Sequence, residues 1–434
     1  MRNFSIITKR LQLGLIHVAV AMTLVPINST LNRVMIRELE LSATLVALLA
    51  SLPYLFAPMQ VWVGAITDRA SLFGYRRSPA ILLGLLLCVA GLAVSPWAAH
   101  QMAQGAWLVG ALPFLFWGMG YNLASVSYLA LATDLSGEKQ RGATIAVMWF
   151  MMIVSIIGTA IALGRMVENY TPAVLQNAFN MVAGAALLLG LLGLAGLEPR
   201  QQAGQPAHAA QPTPAQMAQA ISGNPAARVF FIYLALLLAA ILGQDILLEP
   251  YAAQAFGWSV SQTTRLTSLW GTAVLATILI ASPLERWFSR KTVAQMGNLG
   301  ALGGFLLILG GGLAANSVVF FGGVTLLGAG TGLSTVANLA LMFDLTLPGQ
   351  VGLYVGAWGF ANALSRLFGS LLGGVVRDVA AWISGDALLG YAVVFGIEAL
   401  ILLAAALMLS RIDIGAFRAA ANVPSALERA ALAE

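Results

Sequence analysis

Residues 118–142 read GMGYNLASVSYLALATDLSGEKQRG, and residues 328–352 read GAGTGLSTVANLALMFDLTLPGQVG. At this offset of 210 positions, 11 of the 25 aligned residues are identical. They include the acids Asp134 and Asp344 and the glycines at both ends of each stretch. Shared apolar composition gives some matches by chance, but it does not readily place an acid, a glutamine and flanking glycines at one offset. The sequence therefore indicates two similar halves.

The composition indicates that this duplicated chain lies in a membrane. Of its 434 residues, 59% are hydrophobic and only 9% are charged, and the mean hydropathy is +0.85. Soluble domains carry about 25% charged residues, so a surface this poor in charge faces lipid. The net charge of +5 does not indicate a nucleic-acid partner, because the basic residues sit at the ends of apolar segments. The single Cys88 allows no disulfide within the chain.

Twelve apolar segments reach the length of about 20 residues that spans a bilayer. Between the sixth and seventh, residues 198–227 are rich in Gln, Pro and Ala, which is typical of a linker. We therefore predict an all-α membrane protein with a six-helix bundle in 1–197, a cytoplasmic linker in 198–227 and a second six-helix bundle with a short tail in 228–434. The predicted spans are 11–32, 42–66, 79–97, 106–133, 143–164, 177–197, 228–249, 262–282, 293–313, 317–343, 351–375 and 388–409.

The lysines and arginines set the orientation of these spans. If the N-terminus is cytoplasmic, all but six of the 22 basic residues fall on the cytoplasmic side, which predicts that both termini lie there. Both halves then start on the same side. This parallel repeat is the kind that relates the halves of major facilitator proteins, so we predict that fold. The six exceptions are Arg33, Arg37, Arg165, Arg265, Arg366 and Arg377.

Two loops, after the second and the eighth span, repeat an acid-Arg pair followed by a basic pair. A carboxylate with nearby guanidinium groups forms charge-assisted hydrogen bonds that can latch neighbouring helices together. The alternative is that these charges only set the topology. The predicted cytoplasmic latch consists of Asp68, Arg69, Arg76, Arg77, Asp134 and Arg141 in the first half and Glu285, Arg286, Arg290 and Asp344 in the second.

The seventh span contains two acids, Asp245 and Glu249, four residues apart and so on one face of a helix. Ionisable residues within a span are functional candidates by default. Arg366 is placed well inside the eleventh span, so we predict an intramembrane polar cluster of Gln244, Asp245, Glu249 and Arg366. The alternative is a structural ion pair, or interface charges that reach water.

His17 is placed inside the first span and could ligate a metal, including the magnesium of a chlorophyll. The alternative is a hydrogen bond between helices. The sequence contains no phosphate-binding loop, no His/Cys metal spacing and no nucleophile elbow. We therefore expect no catalytic residues, no metal site and no enzyme activity.

Four motifs carry a resemblance to a known family: LNRVMI at 31–36, GYRRSP at 74–79, ALATDL at 130–135 and QDILLEPY at 244–251. Together they resemble the PucC/LhaA family, a branch of the major facilitator superfamily found in phototrophic bacteria. The likeness extends over nearly the whole chain. The chain departs from the family at AAQ in 252–254, where members usually have a Gly-Gly-Glu-like stretch, and it has no His in the loop after the second span.

The resemblance implies a membrane assembly factor for photosynthetic light-harvesting complexes, which binds bacteriochlorophyll or delivers it to antenna polypeptides. It also implies a bacterial inner membrane as the location and a reaction centre or chlorophyll synthase as further candidate partners. Two alternatives stay open. One is a secondary transporter of a small molecule or tetrapyrrole, and the other is a permanent structural subunit of a photosynthetic complex. The lack of ionisable groups along the first, fourth and tenth spans, apart from His17 and residues at the span ends, disfavours an ion-coupled pump.

Overall fold

The computed structural model describes residues 2–57, 72, 74–200, 221, 225–345 and 351–412, and these are almost entirely helical. The β pairing within these residues is one isolated bridge between Leu72 and Tyr75. The helices are α1 (Arg2–Met22), α2 (Asn32–Arg37), α3 (Ala43–Ala50), α4 (Leu52–Leu55), α5 (Ser78–Ala103), α6 (Trp107–Met166), α7 (Pro172–Leu194), α8 (Pro225–Gly243), α9 (Leu248–Phe256), α10 (Val260–Leu284), α11 (Arg290–Leu313), α12 (Ser317–Asp344), α13 (Val351–Ser384) and α14 (Ala387–Arg411).

Eleven helical stretches within the described ranges are long and apolar enough to cross a membrane. Each corresponds to one predicted span. The remaining predicted span, 42–66, is described only as far as residue 57, where α3 and α4 form its first part. The prediction of an all-α membrane protein is therefore confirmed.

The fourth and fifth predicted spans belong to one helix of 60 residues, α6. The sequence predicted a loop between them, and the structure corrects this. A straight helix of that length would measure about 90 Å, three times the hydrocarbon thickness of a bilayer. The helix therefore changes direction between its two membrane-crossing parts, Trp107–Ser136 and Gly142–Met166. Glu, Lys, Gln and Arg occupy 138–141, and these residue types favour helix, which explains why the backbone stays helical there.

The glycines of the internal repeat make equivalent contacts in the two halves. A Cβ atom at Gly120 would lie 2.6 Å from a main-chain nitrogen of α5, and one at Gly330 would overlap a main-chain nitrogen of α11. Likewise, a Cβ atom at Gly118 would lie 2.9 Å from α4, and one at Gly328 would lie 2.6 Å from a main-chain oxygen of α10. No side chain fits at these crossings, so the repeat preserves the places where helices meet most closely.

Two spans are interrupted by irregular helical turns that pack against each other. The first span has a π-helical turn at Pro26–Leu31, between α1 and α2. The seventh has a 3-10 turn at Gln244–Ile246, between α8 and α9. Such turns aim side chains in directions that a regular helix does not allow, and they are frequent at functional sites.

Candidate functional site

An ion pair within the second half also bonds to the first half. Arg366 on α13 places Nη2 3.2 Å from Asp245 Oδ2 in the 3-10 turn. Its Nη1 donates a hydrogen bond of 2.8 Å to the hydroxyl of Tyr54 on α4, and the guanidinium carbon lies 5.2 Å from the centroid of that ring. Gln244 Nε2 donates to the other carboxylate oxygen of Asp245 at 2.9 Å. The structure therefore brings together three of the four residues of the predicted cluster and adds Tyr54.

The fourth residue of that cluster, Glu249, has different partners. Its Oε1 accepts hydrogen bonds from Ser29 in the π-helical turn and, at 2.9 Å, from Thr267 on α10. The prediction of one cluster around Arg366 is corrected on this point. It assumed a regular helix through 245–249, whereas the 3-10 turn before α9 changes the direction in which the two acids point. Glu249 is buried and forms a second inter-half contact.

Further contacts between the halves lie at the ends of the spans. Thr30 and Thr264 place their hydroxyl oxygens 3.0 Å apart, and Arg33 donates 3.0 Å to the carbonyl oxygen of Trp258. Asp378 on α13 accepts from the first turn of α3, including the main-chain nitrogen of Thr44 at 2.8 Å and its hydroxyl at 2.7 Å. These bonds hold the π-helical turn, α2 and α3 of the first half against α10, the residues just before it and α13 of the second half.

A third acid close to this site is Glu398 on α14, which the sequence analysis did not single out. Its side chain is buried, and neither carboxyl oxygen has a hydrogen-bond partner within the described part of the chain. Asp245 lies close enough to interact with it electrostatically. The signal was present in the sequence, because a glutamate in the middle of the apolar run 388–409 is itself unusual.

In the second half, Arg290 bridges two acids at the end of the membrane-crossing segments. It lies 2.7 Å from Asp344 and 3.4 Å from Glu285. This arrangement joins the start of α11 to the end of α12. Arg286, the other predicted member, is exposed to solvent.

In the first half, Arg77 Nε lies 3.5 Å from Asp134, the repeat partner of Asp344. Asp68, Arg69 and the side chain of Arg141 lie outside the described residues. The predicted latch in this half therefore has one described ion pair, which occupies the same place as the pair in the second half.

Glu198, which the sequence analysis assigned to the linker, belongs to the first bundle instead. It is buried and accepts hydrogen bonds from the main-chain nitrogens of Arg76, Arg77 and Ser78, at distances from 2.7 to 3.2 Å. These are unpaired donors at the start of α5, where a negative charge is favourable. The bundle therefore extends to 198. A proline directly after Glu198 made it resemble the beginning of a linker.

The second half makes the corresponding contact with the charges reversed. Lys291 at the start of α11 donates to the carbonyl oxygens of Ser410 and Ile412, at 2.8 and 2.7 Å. A positive charge satisfies unpaired acceptors at the end of α14. Both halves thus tie their last helix to their third, one with a carboxylate and the other with an ammonium group.

His17 does not fit the predicted role of a pigment ligand in this packing. Its imidazole is 6% exposed and lies 5.1 Å from the ring of Tyr128 and 5.9 Å from that of Trp149. Within the described residues Nδ1 has no hydrogen-bond partner. A magnesium ligand must present a ring nitrogen to a flat macrocycle, and an imidazole that is 6% exposed does not do so at the surface of the bundle.

A groove of about 670 Å³ opens between the starts of α10 and α12. Trp258 and Phe321 stack in it with ring centroids 4.9 Å apart, and Arg265 lines it together with Gln262 and Thr325. Arg265 also lies 3.9 Å from Glu168 across the groove rim. Trp258 also stacks on Phe256, with ring centroids 4.6 Å apart, so the exposed aromatic surface of the groove is that of Phe321, beside a positive charge.

Comparison with solved structures defines the class of protein. The chain matches a mutant of the nucleoside transporter NupG with a TM-score of 0.73 at 15% identity, covering 93% of this chain and 99% of that structure. A D-xylose-proton symporter matches with a TM-score of 0.70 at 16% identity, covering 94% and 97% of the two chains. Likeness at this identity shows the fold alone. The chain is a multi-pass membrane protein with the fold of major facilitator transporters.

The family follows from sequence comparison. The model of the PUCC protein family matches residues 30–417. Protein PucC of Rhodobacter capsulatus is 32% identical over 418 residues, which cover 92% of this chain and 91% of that relative. The "Bacteriochlorophyll synthase 44.5 kDa chain" of the same species is 29% identical, and the match covers 96% and 97% of the two chains. This chain belongs to the PUCC protein family.

Proposed function

We propose that this chain is a membrane assembly factor for photosynthetic light-harvesting complexes, which binds bacteriochlorophyll or delivers it to antenna polypeptides. The observation that carries this proposal is the family membership over nearly the full length, with a relative named for bacteriochlorophyll synthase. Family and fold together support a photosynthesis-associated membrane protein. The proposal includes an inner-membrane location, cytoplasmic termini and no enzyme activity. A reaction centre or chlorophyll synthase is a further candidate partner.

The way polar groups are used inside the bundle supports binding more than transport. In the second half, Tyr233 donates to Asn338 at 2.8 Å and accepts from Asn298 at 3.0 Å, while Ser334 donates to Asn298 at 2.8 Å. All four residues are buried. Hydrogen bonds between helices use these polar groups, so they are not available to line a path for a polar solute.

Because His17 is enclosed, the groove beside Trp258 and Phe321 is the described surface that we propose for contact with pigment. A flat aromatic ring can stack on the exposed side chain of Phe321, and the adjacent Arg265 can bind an oxygen substituent at the ring edge. We propose contact through the protein's aromatic and basic side chains, and no ligand to the magnesium is assigned.

Deletion of the gene from a phototrophic host tests the proposed function. Assembled antenna, measured as near-infrared absorbance of membranes, should fall, while free bacteriochlorophyll is still synthesised. Re-expression of the wild-type chain should restore the absorbance. Normal antenna levels in the deletion strain would contradict the proposal. Purification in mild detergent should recover antenna polypeptides together with this chain, and assembled antenna should contain less than one copy of the chain per complex. A fixed stoichiometry would instead indicate a permanent subunit.

A groove variant tests the proposed pigment contact separately. Phe321→Ala should reduce the pigment that co-purifies with the chain, because it removes one of the two stacked rings. Phe368→Ala is the matched control, since Phe368 is 63% exposed on α13 and does not line the groove. Equal pigment content in the two variants would contradict the assignment of the groove.

The second candidate function is secondary transport, which the Asp245–Arg366 ion pair favours. Arg366 of this pair also donates to Tyr54 of the first half, and a charged contact of this kind inside the membrane can break and re-form as the halves move. Purified protein in liposomes would distinguish the two functions. Uptake of a small molecule or tetrapyrrole that depends on an imposed ion gradient, together with normal antenna in the deletion strain, would support the transporter.

A further inference from the structure

Glu398 is a buried acid that the proposed function does not use. It lies at the middle of α14, is 5% exposed, and has no hydrogen-bond partner for either carboxyl oxygen within the described residues. An ionised carboxylate without partners is strongly disfavoured in an apolar interior, and such groups in a membrane span commonly take part in function. The groups around Glu398 therefore determine whether the packing accommodates a protonated or an ionised carboxyl group.

The carboxyl group lies where three helices pack closely against one another. A Cβ atom at Gly243, the last residue of α8, would lie 3.0 Å from Glu398 Oε1 and 3.0 Å from the main-chain carbon of Gly369 on α13. A Cβ atom at Gly369 would overlap a main-chain oxygen of α8. The absence of side chains at both glycines lets Glu398 reach the start of the 3-10 turn that carries Asp245.

The charged groups around Glu398 come from the helices packed against α14. From the seventh span, Asp245 interacts with it electrostatically, and Glu249 lies further along and is held by Ser29 and Thr267. From α13, Arg366 is paired with Asp245. The stretch 292–313 of α11 contains no ionisable residue. On α14 itself, Tyr391 lies under the guanidinium of Arg377, at a distance of 4.8 Å.

We propose that Glu398 is a proton-binding site coupled to the Asp245–Arg366 ion pair. In the protonated form the group is neutral, and Arg366 binds Asp245 and Tyr54. When the proton leaves for water, a second negative charge faces Asp245 and repels the carboxylate that Arg366 holds. The two forms thus place different forces on the contact between α8 and α13. This inference does not depend on which client the chain binds.

Infrared spectroscopy of the full-length protein in lipid nanodiscs tests the site. The C=O stretching band of protonated carboxyl groups is followed from alkaline to acidic buffer. Wild-type protein at neutral pH should show a band that is lost in Glu398→Gln and retained in Glu168→Gln, whose acid is an exposed control. Spectra of wild type and Glu398→Gln that agree at every pH would overturn the proposal.

A second variant tests the coupling. Asp245→Asn removes the neighbouring negative charge, so the pH at which the Glu398 band disappears should fall by about one pH unit. Arg366→Gln removes the positive charge and should move that pH upward. Circular dichroism establishes that each variant is folded. If both variants fold and the pH of disappearance does not move, the coupling is refuted.

Discussion

Replacing Arg366 by Met removes the positive charge of the ion pair with Asp245 and keeps most of the side-chain volume. Met fills much of the same apolar space but leaves the Asp245 carboxylate without the guanidinium that lies 3.2 Å away. Breaking a fully buried ion pair in this way costs about 3–5 kcal/mol. Because both side chains are 23% exposed, we expect a smaller loss than for a fully buried pair, about 2–3 kcal/mol.

The double variant Asp245→Asn, Arg366→Met shows whether the loss arises from an unpaired charge. It leaves no uncompensated carboxylate, so it should be more stable than Arg366→Met alone, with a coupling energy of about 2 kcal/mol. Gln244 can still hydrogen-bond to the asparagine.

Unfolding in an SDS titration can be followed by two signals. Circular dichroism reports the loss of helix in the whole chain, and maleimide labelling reports the exposure of Cys88, the single cysteine, which is fully buried in the first half. Because Arg366 also donates to Tyr54 of the first half, both signals should shift in the single variant. If Arg366→Met is as stable as wild type, or if the two changes are simply additive, the ion pair does not contribute as argued.

Three further predictions use the same unfolding measurement. Gly330→Ala should destabilise by more than about 2 kcal/mol, because its Cβ would overlap a main-chain nitrogen of α11, whereas Gly322→Ala, with open space around it, should be close to neutral. Glu198→Gln should cost about 1–2 kcal/mol through weakened capping of α5, and Glu168→Gln should cost almost nothing. Asp344→Asn should cost less than about 1 kcal/mol, with the loss shrinking in high salt, because its guanidinium partner is 44% exposed.

The parts of the fold that could be predicted depend on composition and on spacing along the chain. Lipid accepts only long apolar helices, so the spans follow directly from hydropathy. The repeat also predicted equivalent sites, and Asp134 and Asp344 do pair with arginines at the starts of α5 and α11. Arg366 suggested its own partner, since few acids were available inside the membrane.

The parts that could not be predicted depend on local backbone geometry. Asp245 and Glu249 were expected on one helical face, but the 3-10 turn at Gln244–Ile246 separates them, and spacing alone does not reveal such a turn. Glu198 looked like linker because its role depends on the distant start of α5. The near approach of Glu398 to Asp245 depends on the close packing of α8, α13 and α14, which a single sequence does not encode in any short motif.

The bonds between the halves lie towards one membrane face of the protein. The free energy needed to separate the halves therefore differs between the two faces. Glu249, Asp378 and Arg33 all hold the halves together away from the side where the described chain ends lie. Separation there would leave buried polar groups unpaired at about 1–3 kcal/mol each. A molecule that arrives from that side must supply this free energy through its own contacts, whereas one that arrives from the side of the chain ends leaves these bonds intact. Access to the contact between the halves is therefore energetically unequal from the two faces, even before any client is specified.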